Sequence, residues 1–124
     1  MAYVDFDKAE EHRERGNQYF KENMFVEALK EYEEGIKRNP EFAPLYSNRC
    51  ATYIKLGEFV SALKDADTCI EIDPDFIKAY ARKGTCHHFL KEYHKALKAF
   101  DDGIKLDPQN KECINGKHKT ITAI

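Results

Sequence analysis

The same residue types recur along this chain at intervals of 34 residues, and this period constrains the fold more than any other feature. The most visible column is proline, at Pro40, Pro74 and Pro108. The same shift aligns Ala28, Ala62 and Ala96; Leu29, Leu63 and Leu97; Ile36, Ile70 and Ile104; the rings Phe25, Phe59 and Tyr93; the rings Tyr19, Tyr53 and His87; and the small residues Gly16, Cys50 and Gly84. Many columns that share one offset indicate a repeated structural unit, and such units stack on one another to bury a continuous core.

Each unit contains two helical patterns. In the first unit, apolar residues at Phe25, Ala28, Tyr32 and Ile36 have the spacing of one helix face. The prolines close the units, because neither proline nor the residue before it readily continues a helix. The predicted units are 9–42, 43–76 and 77–110, with helices at 9–22, 25–38, 43–56, 59–72, 77–90 and 93–106. Residues 1–8 are predicted to be an N-terminal extension, and residues 111–124 to start a seventh helix.

Composition narrows the class of protein. The chain has 124 residues, 42% hydrophobic and 34% charged, which suits one folded domain and argues against disorder. It contains no run of 18 apolar residues and no secretory signal, so we expect neither a membrane span nor export. Its net charge of −2 disfavours non-specific binding to nucleic acid, which requires a basic protein.

The cysteines and histidines do not suggest a metal or redox site. The four cysteines, Cys50, Cys69, Cys86 and Cys113, form no CxxC motif. They are predicted to be reduced thiols of a cytosolic protein, with Cys50 and Cys69 in small packing positions. The adjacent residues Cys86, His87 and His88 would point about 100° apart on a helix and would not converge on one metal. No metal ligand and no cofactor is therefore predicted.

These columns resemble the tetratricopeptide repeat (TPR) family over residues 9–110. His12 and His87 depart from its pattern, at positions that usually hold a large apolar residue and a tyrosine. The resemblance implies an all-α, right-handed α-solenoid of three helix pairs, with a concave groove lined by the first helix of each pair. It also implies that residues 111–124 form a capping helix. Because that segment stops abruptly in Thr-Ile-Thr-Ala-Ile, we expect the chain to be a truncated piece of a larger protein.

Polar stripes on the first helix of each unit face the predicted groove. The stripes, at spacings of three and four residues, are Glu10, Arg13, Asn17 and Phe20; Asn48, Ala51 and Lys55; and Lys78, Arg82 and Thr85. They place positive charge in the groove of a net-negative protein. Two of the residues are mid-helix asparagines, although asparagine is a poor helix former. Amides beside guanidinium and ammonium groups suit a carboxylate ligand.

A more specific resemblance lies in five of these residues. The two-carboxylate clamp of chaperone-binding TPR domains has matching residue types at the positions of Arg13, Asn17, Asn48, Lys78 and Arg82. The stretches 45–49 and 76–83 are similar to those of the Hop (stress-induced phosphoprotein) cochaperones. The resemblance implies binding of the C-terminal Glu-Glu-Val-Asp tail of cytosolic heat-shock chaperones of the seventy- or ninety-kilodalton class. The accessory groove residues are predicted to be Phe20, Ala51, Lys55 and Thr85.

Other functions stay open at this point. No Gly-rich phosphate loop or nucleophile motif predicts catalysis or a small-molecule substrate, so the chain itself is not expected to be an enzyme. It could be the chaperone-targeting module of a larger phosphatase, immunophilin or ubiquitin ligase, or a scaffold for another peptide segment. RNA recognition is disfavoured by the net charge. The isolated domain is expected to be a cytoplasmic monomer, and its preferred chaperone class is left open.

Overall fold

In a computed structural model, the described residues, 4–124, form seven α-helices and no strand. The helices are α1 (Phe6–Lys21), α2 (Phe25–Arg38), α3 (Ala43–Lys55), α4 (Phe59–Ile72), α5 (Ile77–Phe89), α6 (Tyr93–Leu106) and α7 (Lys111–Ala123). The first six pack as the pairs α1–α2, α3–α4 and α5–α6, and α7 packs on α6 and α5. The predicted all-α solenoid of three helix pairs and a C-terminal helix is confirmed.

The turn inside each helix pair has the same backbone conformation. Asn23, Gly57 and Lys91 lie 34 residues apart, with φ angles of 61°, 74° and 62°. This left-handed conformation costs least for glycine, and asparagine tolerates it better than most residues. The repeat therefore extends to backbone geometry, and it directs the second helix of each pair back along the first.

Complementary volumes let the two helices of a pair approach closely. A Cβ atom added to Gly16 would lie 2.5 Å from the ring of Tyr32, so only glycine fits opposite this ring. Gly84 opposes the ring of Phe100 in the same way in the third pair. In the second pair, Cys50 stands at the position of Gly16 and Gly84, and Ala66 at the position of Tyr32 and Phe100. Both are fully buried. A larger residue on one helix is thus matched by a smaller residue on its partner.

Helix α1 begins three residues before the predicted start at residue 9. The reason is Asp5, whose carboxylate accepts a hydrogen bond from the Lys8 amide at 2.9 Å and caps the helix. Part of the predicted N-terminal extension, residues 1–8, therefore belongs to α1. Residues 1–3 of that extension lie outside the described residues.

Helix α7 covers the end of the third pair. The Asn110 side chain caps it by accepting from the Cys113 amide at 3.0 Å. A Cβ atom added to Gly116 would lie 2.4 Å from the Phe100 ring, so the two helices meet closely there. The His88 ring on α5 lies 2.9 Å from the Thr120 hydroxyl on α7. These contacts give residues 111–123 the place of a capping helix.

The four cysteines occupy packing positions. All are free thiols and all are fully buried. Burial raises the pKa of Cys69 to about 12 and that of Cys113 to about 11. The thiolate, which is the reactive form, is therefore scarce at neutral pH. No helix within residues 4–124 has the length and apolar character needed to span a bilayer.

Candidate peptide-binding groove

Helices α1, α3 and α5 are the first members of the three pairs, and they bring several of the predicted residues together. A cavity of about 220 Å³ opens between them. It is lined by Asn17, Phe20, Lys21, Tyr32, Asn48, Ala51 and Arg82. We call this cavity the amide pocket. The two predicted asparagines, the predicted arginine of α5 and two of the four accessory residues thus meet on one surface.

The two asparagines of the amide pocket are hydrogen-bonded to each other. Asn48 Nδ2 on α3 donates to Asn17 Oδ1 on α1 at 2.9 Å. The same oxygen accepts the hydroxyl of Tyr32 on α2 at 2.6 Å. Both asparagines are half-buried, whereas Tyr32 is buried. The asparagines are therefore held by a network that crosses three helices.

Arg82 is held against the neighbouring repeat. Its Nη1 donates to the carbonyl oxygen of Ser47 at 2.9 Å and also to the Ser47 hydroxyl. Ser47 on α3 is fully buried, and Arg82 is half-buried. Within residues 4–124, Nε and Nη2 of Arg82 have no hydrogen-bond acceptor. A guanidinium fixed at one corner, with its other donors free, is suited to bind a carboxylate.

Arg13 does not line the amide pocket, and its guanidinium is already paired. Its Nε donates to one carboxylate oxygen of Glu10 at 2.9 Å, and its Nη2 donates to the other. The hydrogen bond from Arg13 lowers the pKa of the Glu10 carboxyl group, which therefore stays charged at neutral pH. The side chains of Arg13 and Glu10 are 28% and 40% exposed, so an incoming carboxylate can compete for this arginine.

The remaining predicted residues lie around the amide pocket. Lys78 is exposed one turn before Arg82 on α5 and makes no ion pair within the described residues. Lys55, at the end of α3, is exposed as well. Thr85 lines a second cavity of about 340 Å³ between α5 and α7, which also touches Arg82. Lys55 and Thr85 are thus not brought into the same cavity as the asparagines.

Sequence reasoning missed two residues that hold the groove side chains, Tyr32 and Ser47. Neither lies on the predicted stripes, and both act across helices, over 15 and 35 residues of sequence. The one available signal was indirect. A mid-helix asparagine needs hydrogen-bond partners, and a tyrosine on the partner helix can supply one. Nothing in the local sequence around Ser47 pointed to Arg82.

Comparison with known proteins identifies the repeated unit. Two family models of the tetratricopeptide repeat match the chain, one over residues 9–42 and the other over residues 77–110, which together make up more than half of it. The chain belongs to the tetratricopeptide repeat family.

Curated relatives of this TPR domain include much longer proteins. It is 63% identical over 38 residues to the Hsp70-Hsp90 organising protein of Plasmodium falciparum, covering 31% of this chain and 7% of that protein. It is 53% identical over 51 residues to Hsp70-Hsp90 organizing protein 3 of Arabidopsis thaliana, covering 41% of this chain and 9% of that protein. The matched segments thus span less than a tenth of these relatives.

Solved TPR domains match over nearly the whole chain. One is the first TPR of Spaghetti (RPAP3), bound to the HSP90 peptide SRMEEVD. Its TM-score is 0.95 at 31% identity, over 99% of this chain and 98% of that one. Another is the TPR2B domain of yeast Sti1 in complex with an Hsp70 peptide. Its TM-score is 0.90 at 38% identity, over 94% and 98% of the two chains. Both were solved with a chaperone peptide bound.

Proposed function

We propose that this TPR domain is a cochaperone module that binds the C-terminal Glu-Glu-Val-Asp tail of heat-shock chaperones. The observation that carries the proposal is the amide pocket, where Asn17, Asn48 and Arg82 present unpaired donors between the first helices of the three repeats. Such a set of donors favours a carboxylate, and the end of a peptide chain supplies one. The peptide complexes of similar domains support the choice of ligand.

The tail offers two carboxylates at its last residue. A C-terminal aspartate carries a main-chain and a side-chain carboxylate at a short, fixed separation, which no internal residue does. Asn17 and Asn48 bind the main-chain carboxylate, and Arg13 reaches it when released from Glu10. Lys78 and Arg82 bind the side-chain carboxylates. The penultimate valine packs against Phe20 and Ala51, which share the pocket with the asparagines.

The expected affinity is moderate. Hydrogen bonds to charged groups contribute about 1.5–3 kcal/mol each. Several such bonds, reduced by the costs of association and of ordering a flexible tail, correspond to a dissociation constant on the order of micromolar. This strength suits a ligand that is captured and released repeatedly.

The proposal describes a binding module with no chemical step. Because the tails belong to cytosolic chaperones, it also places the protein in the cytoplasm. The relatives named for organising Hsp70 and Hsp90 are far longer than this chain. A role in bringing two chaperones together would therefore need further segments. The preference between the seventy- and ninety-kilodalton classes rests on tail residues upstream of the common four.

Titration with synthetic chaperone tails tests the proposal. We expect free-acid peptides ending in Glu-Glu-Val-Asp, one from each chaperone class, to bind the domain with a dissociation constant on the order of micromolar. The same acidic sequence followed by further residues should bind far more weakly, because its terminal carboxylate is displaced. Equal binding of the terminal and internal versions would favour a general peptide scaffold instead.

Glu10 should act as an internal competitor of the ligand. The Glu10 carboxylate accepts two hydrogen bonds from the Arg13 guanidinium, as a ligand carboxylate would. Replacement by glutamine, Glu10→Gln, removes the competing charge at nearly the same size. Because exposed ion pairs are worth about 0.2–1 kcal/mol, we expect the tail to bind up to about fivefold more tightly, as measured by calorimetry.

The matched control is Glu11→Gln, which removes the same charge from an exposed position next to Glu10. It changes the net charge equally but frees no arginine. An equal gain in both variants would mean that only long-range charge matters. Weaker binding by Glu10→Gln would show that the Glu10–Arg13 pair supports the site rather than competing with it.

A further inference from the structure

A buried tyrosine lies behind the two asparagines of the amide pocket. Tyr32 on α2 is 1% exposed, and its hydroxyl donates to Asn17 Oδ1 at 2.6 Å. Asn48 Nδ2 donates to the same oxygen at 2.9 Å. A carbonyl oxygen has two lone pairs, so this oxygen is fully occupied from within the protein.

This occupancy fixes which atoms remain for a ligand. The carboxamide of Asn17 has its oxygen directed to Tyr32 and Asn48, so its NH₂ group is the end left over. Within residues 4–124, that NH₂ group has no acceptor, and Asn48 Nδ2 keeps one further N–H. The pair therefore offers N–H donors, which a carboxylate needs, and withholds the Asn17 oxygen, which would repel it.

The asparagines alone would not fix this orientation. If both carboxamides rotated by 180°, Asn17 Nδ2 could donate to Asn48 Oδ1, and the pair would keep one hydrogen bond. Tyr32 makes the two arrangements unequal, because its buried hydroxyl would then face the Asn17 NH₂ group and its proton would have no acceptor. The hydroxyl also keeps its proton at neutral pH, since burial raises the pKa of Tyr32 to about 12.

We propose that Tyr32 is a positioning residue of the groove, which locks the Asn17–Asn48 pair in the one orientation that presents N–H donors to a terminal carboxylate. The inference rests on the proposed function and adds to it a residue outside the first helices. Tyr32 lines the amide pocket and acts through the two asparagines.

The variant Tyr32→Phe removes only the hydroxyl and keeps the ring opposite Gly16. The two orientations of the asparagine pair become similar in energy, so about half of the molecules present the wrong atoms. We expect the free-acid tail to bind about twofold more weakly. A C-terminally amidated tail carries both a donor and an acceptor and tolerates either orientation. The ratio of free-acid to amidated affinity should therefore fall.

That ratio separates positioning from a structural role, because a general loss of packing weakens both peptides alike. The matched control is Tyr46→Phe, whose hydroxyl donates to the Pro40 carbonyl at 2.8 Å and lies outside the amide pocket. It should leave the ratio unchanged. Circular dichroism and thermal melting check that both variants fold.

Each outcome separates the two proposals. A wild-type protein that ignores the free-acid tail overturns the proposed function and this inference with it. If the wild type binds the free-acid tail but Tyr32→Phe has the same ratio of free-acid to amidated affinity, the inference alone is overturned. An equal loss of affinity for both peptides has the same meaning. An intact fold with a lower ratio supports it.

A second variant keeps the inference testable if Tyr32→Phe does not fold. Asn17→Asp retains an oxygen that accepts from Tyr32 and Asn48 but replaces the ligand-facing NH₂ with a second oxygen. We expect folding to be preserved and binding of the free-acid tail to fall by more than tenfold, with a smaller loss for the amidated tail. Equal losses for the two peptides in Asn17→Asp would overturn the inference.

Discussion

Replacing Lys78 or Arg82 with alanine should weaken binding of the chaperone tail by at least about tenfold, or roughly 1.4 kcal/mol. The two cations lie one helical turn apart on α5. In the proposed function, each supplies a charge-assisted bond to a ligand carboxylate. Lys78→Ala is the cleaner variant, because Lys78 makes no ion pair within the described residues and its loss leaves nothing unpaired. Arg82→Ala also removes the bonds to Ser47.

The control for these variants is Lys83→Ala on the same helix. Lys83 pairs with Asp67 on α4 at 2.9 Å and lines neither cavity next to Arg82. It should leave tail affinity within about twofold, since it changes only long-range charge. Calorimetric titration gives the affinities, and circular dichroism checks helicity. If both Lys78→Ala and Arg82→Ala bind the tail as the wild type does, the carboxylate clamp is excluded.

The largest expected loss of stability comes from Arg49→Ala. Arg49 on α3 donates to both carboxylate oxygens of Asp65 on α4, each at 2.8 Å. Asp65 is only 3% exposed, and burial raises its pKa in spite of the adjacent guanidinium. Without Arg49 the charge would be buried alone. Removing one partner of such a pair costs about 3–5 kcal/mol in the free energy of unfolding, which urea denaturation measures.

The double variant Arg49→Met with Asp65→Leu provides the comparison. Replacing a whole buried ion pair with apolar residues is often close to neutral, so the double variant should be more stable than Arg49→Ala. This order of stabilities would show that Arg49→Ala lowers the free energy of unfolding because it leaves the Asp65 charge buried without a partner. A loss below about 1 kcal/mol for Arg49→Ala would mean that water reaches Asp65 and that the pair behaves as a surface contact.

The repeat made the architecture predictable from the sequence. The 34-residue columns reflect packing between the two helices of a pair, such as Gly16 against Tyr32 and Gly84 against Phe100, so they indicate which helices meet. The start of α1 was not predicted correctly. The helix begins earlier because the carboxylate of Asp5 caps it. The departures at His12 and His87 are accommodated by hydrogen bonds, since Nδ1 of His12 lies 2.8 Å from Glu31 Oε1 and Nδ1 of His87 lies 3.0 Å from Glu92 Oε1.

The groove was predictable only in part. Helical spacing placed Asn17, Asn48 and Arg82 on one face, because spacing determines direction along a regular helix. It did not reveal that Glu10 occupies Arg13, since the stripe that contains both residues gives their direction but not their rotamers. The contacts of Tyr32 and Ser47 depend on how neighbouring helices dock, which is a property of the assembled solenoid.

The central claim, that the domain recognises the free end of a chaperone tail, is tested most directly by amidating the peptide. Calorimetry of the wild-type domain would compare a peptide ending in Glu-Glu-Val-Asp with its C-terminal amide. Amidation removes one negative charge and leaves the donors of Asn17 and Asn48 facing a neutral group. We expect a loss of more than about 1.5–3 kcal/mol, the scale of one charge-assisted hydrogen bond. Equal affinity for the two peptides would contradict the claim and favour a general peptide scaffold.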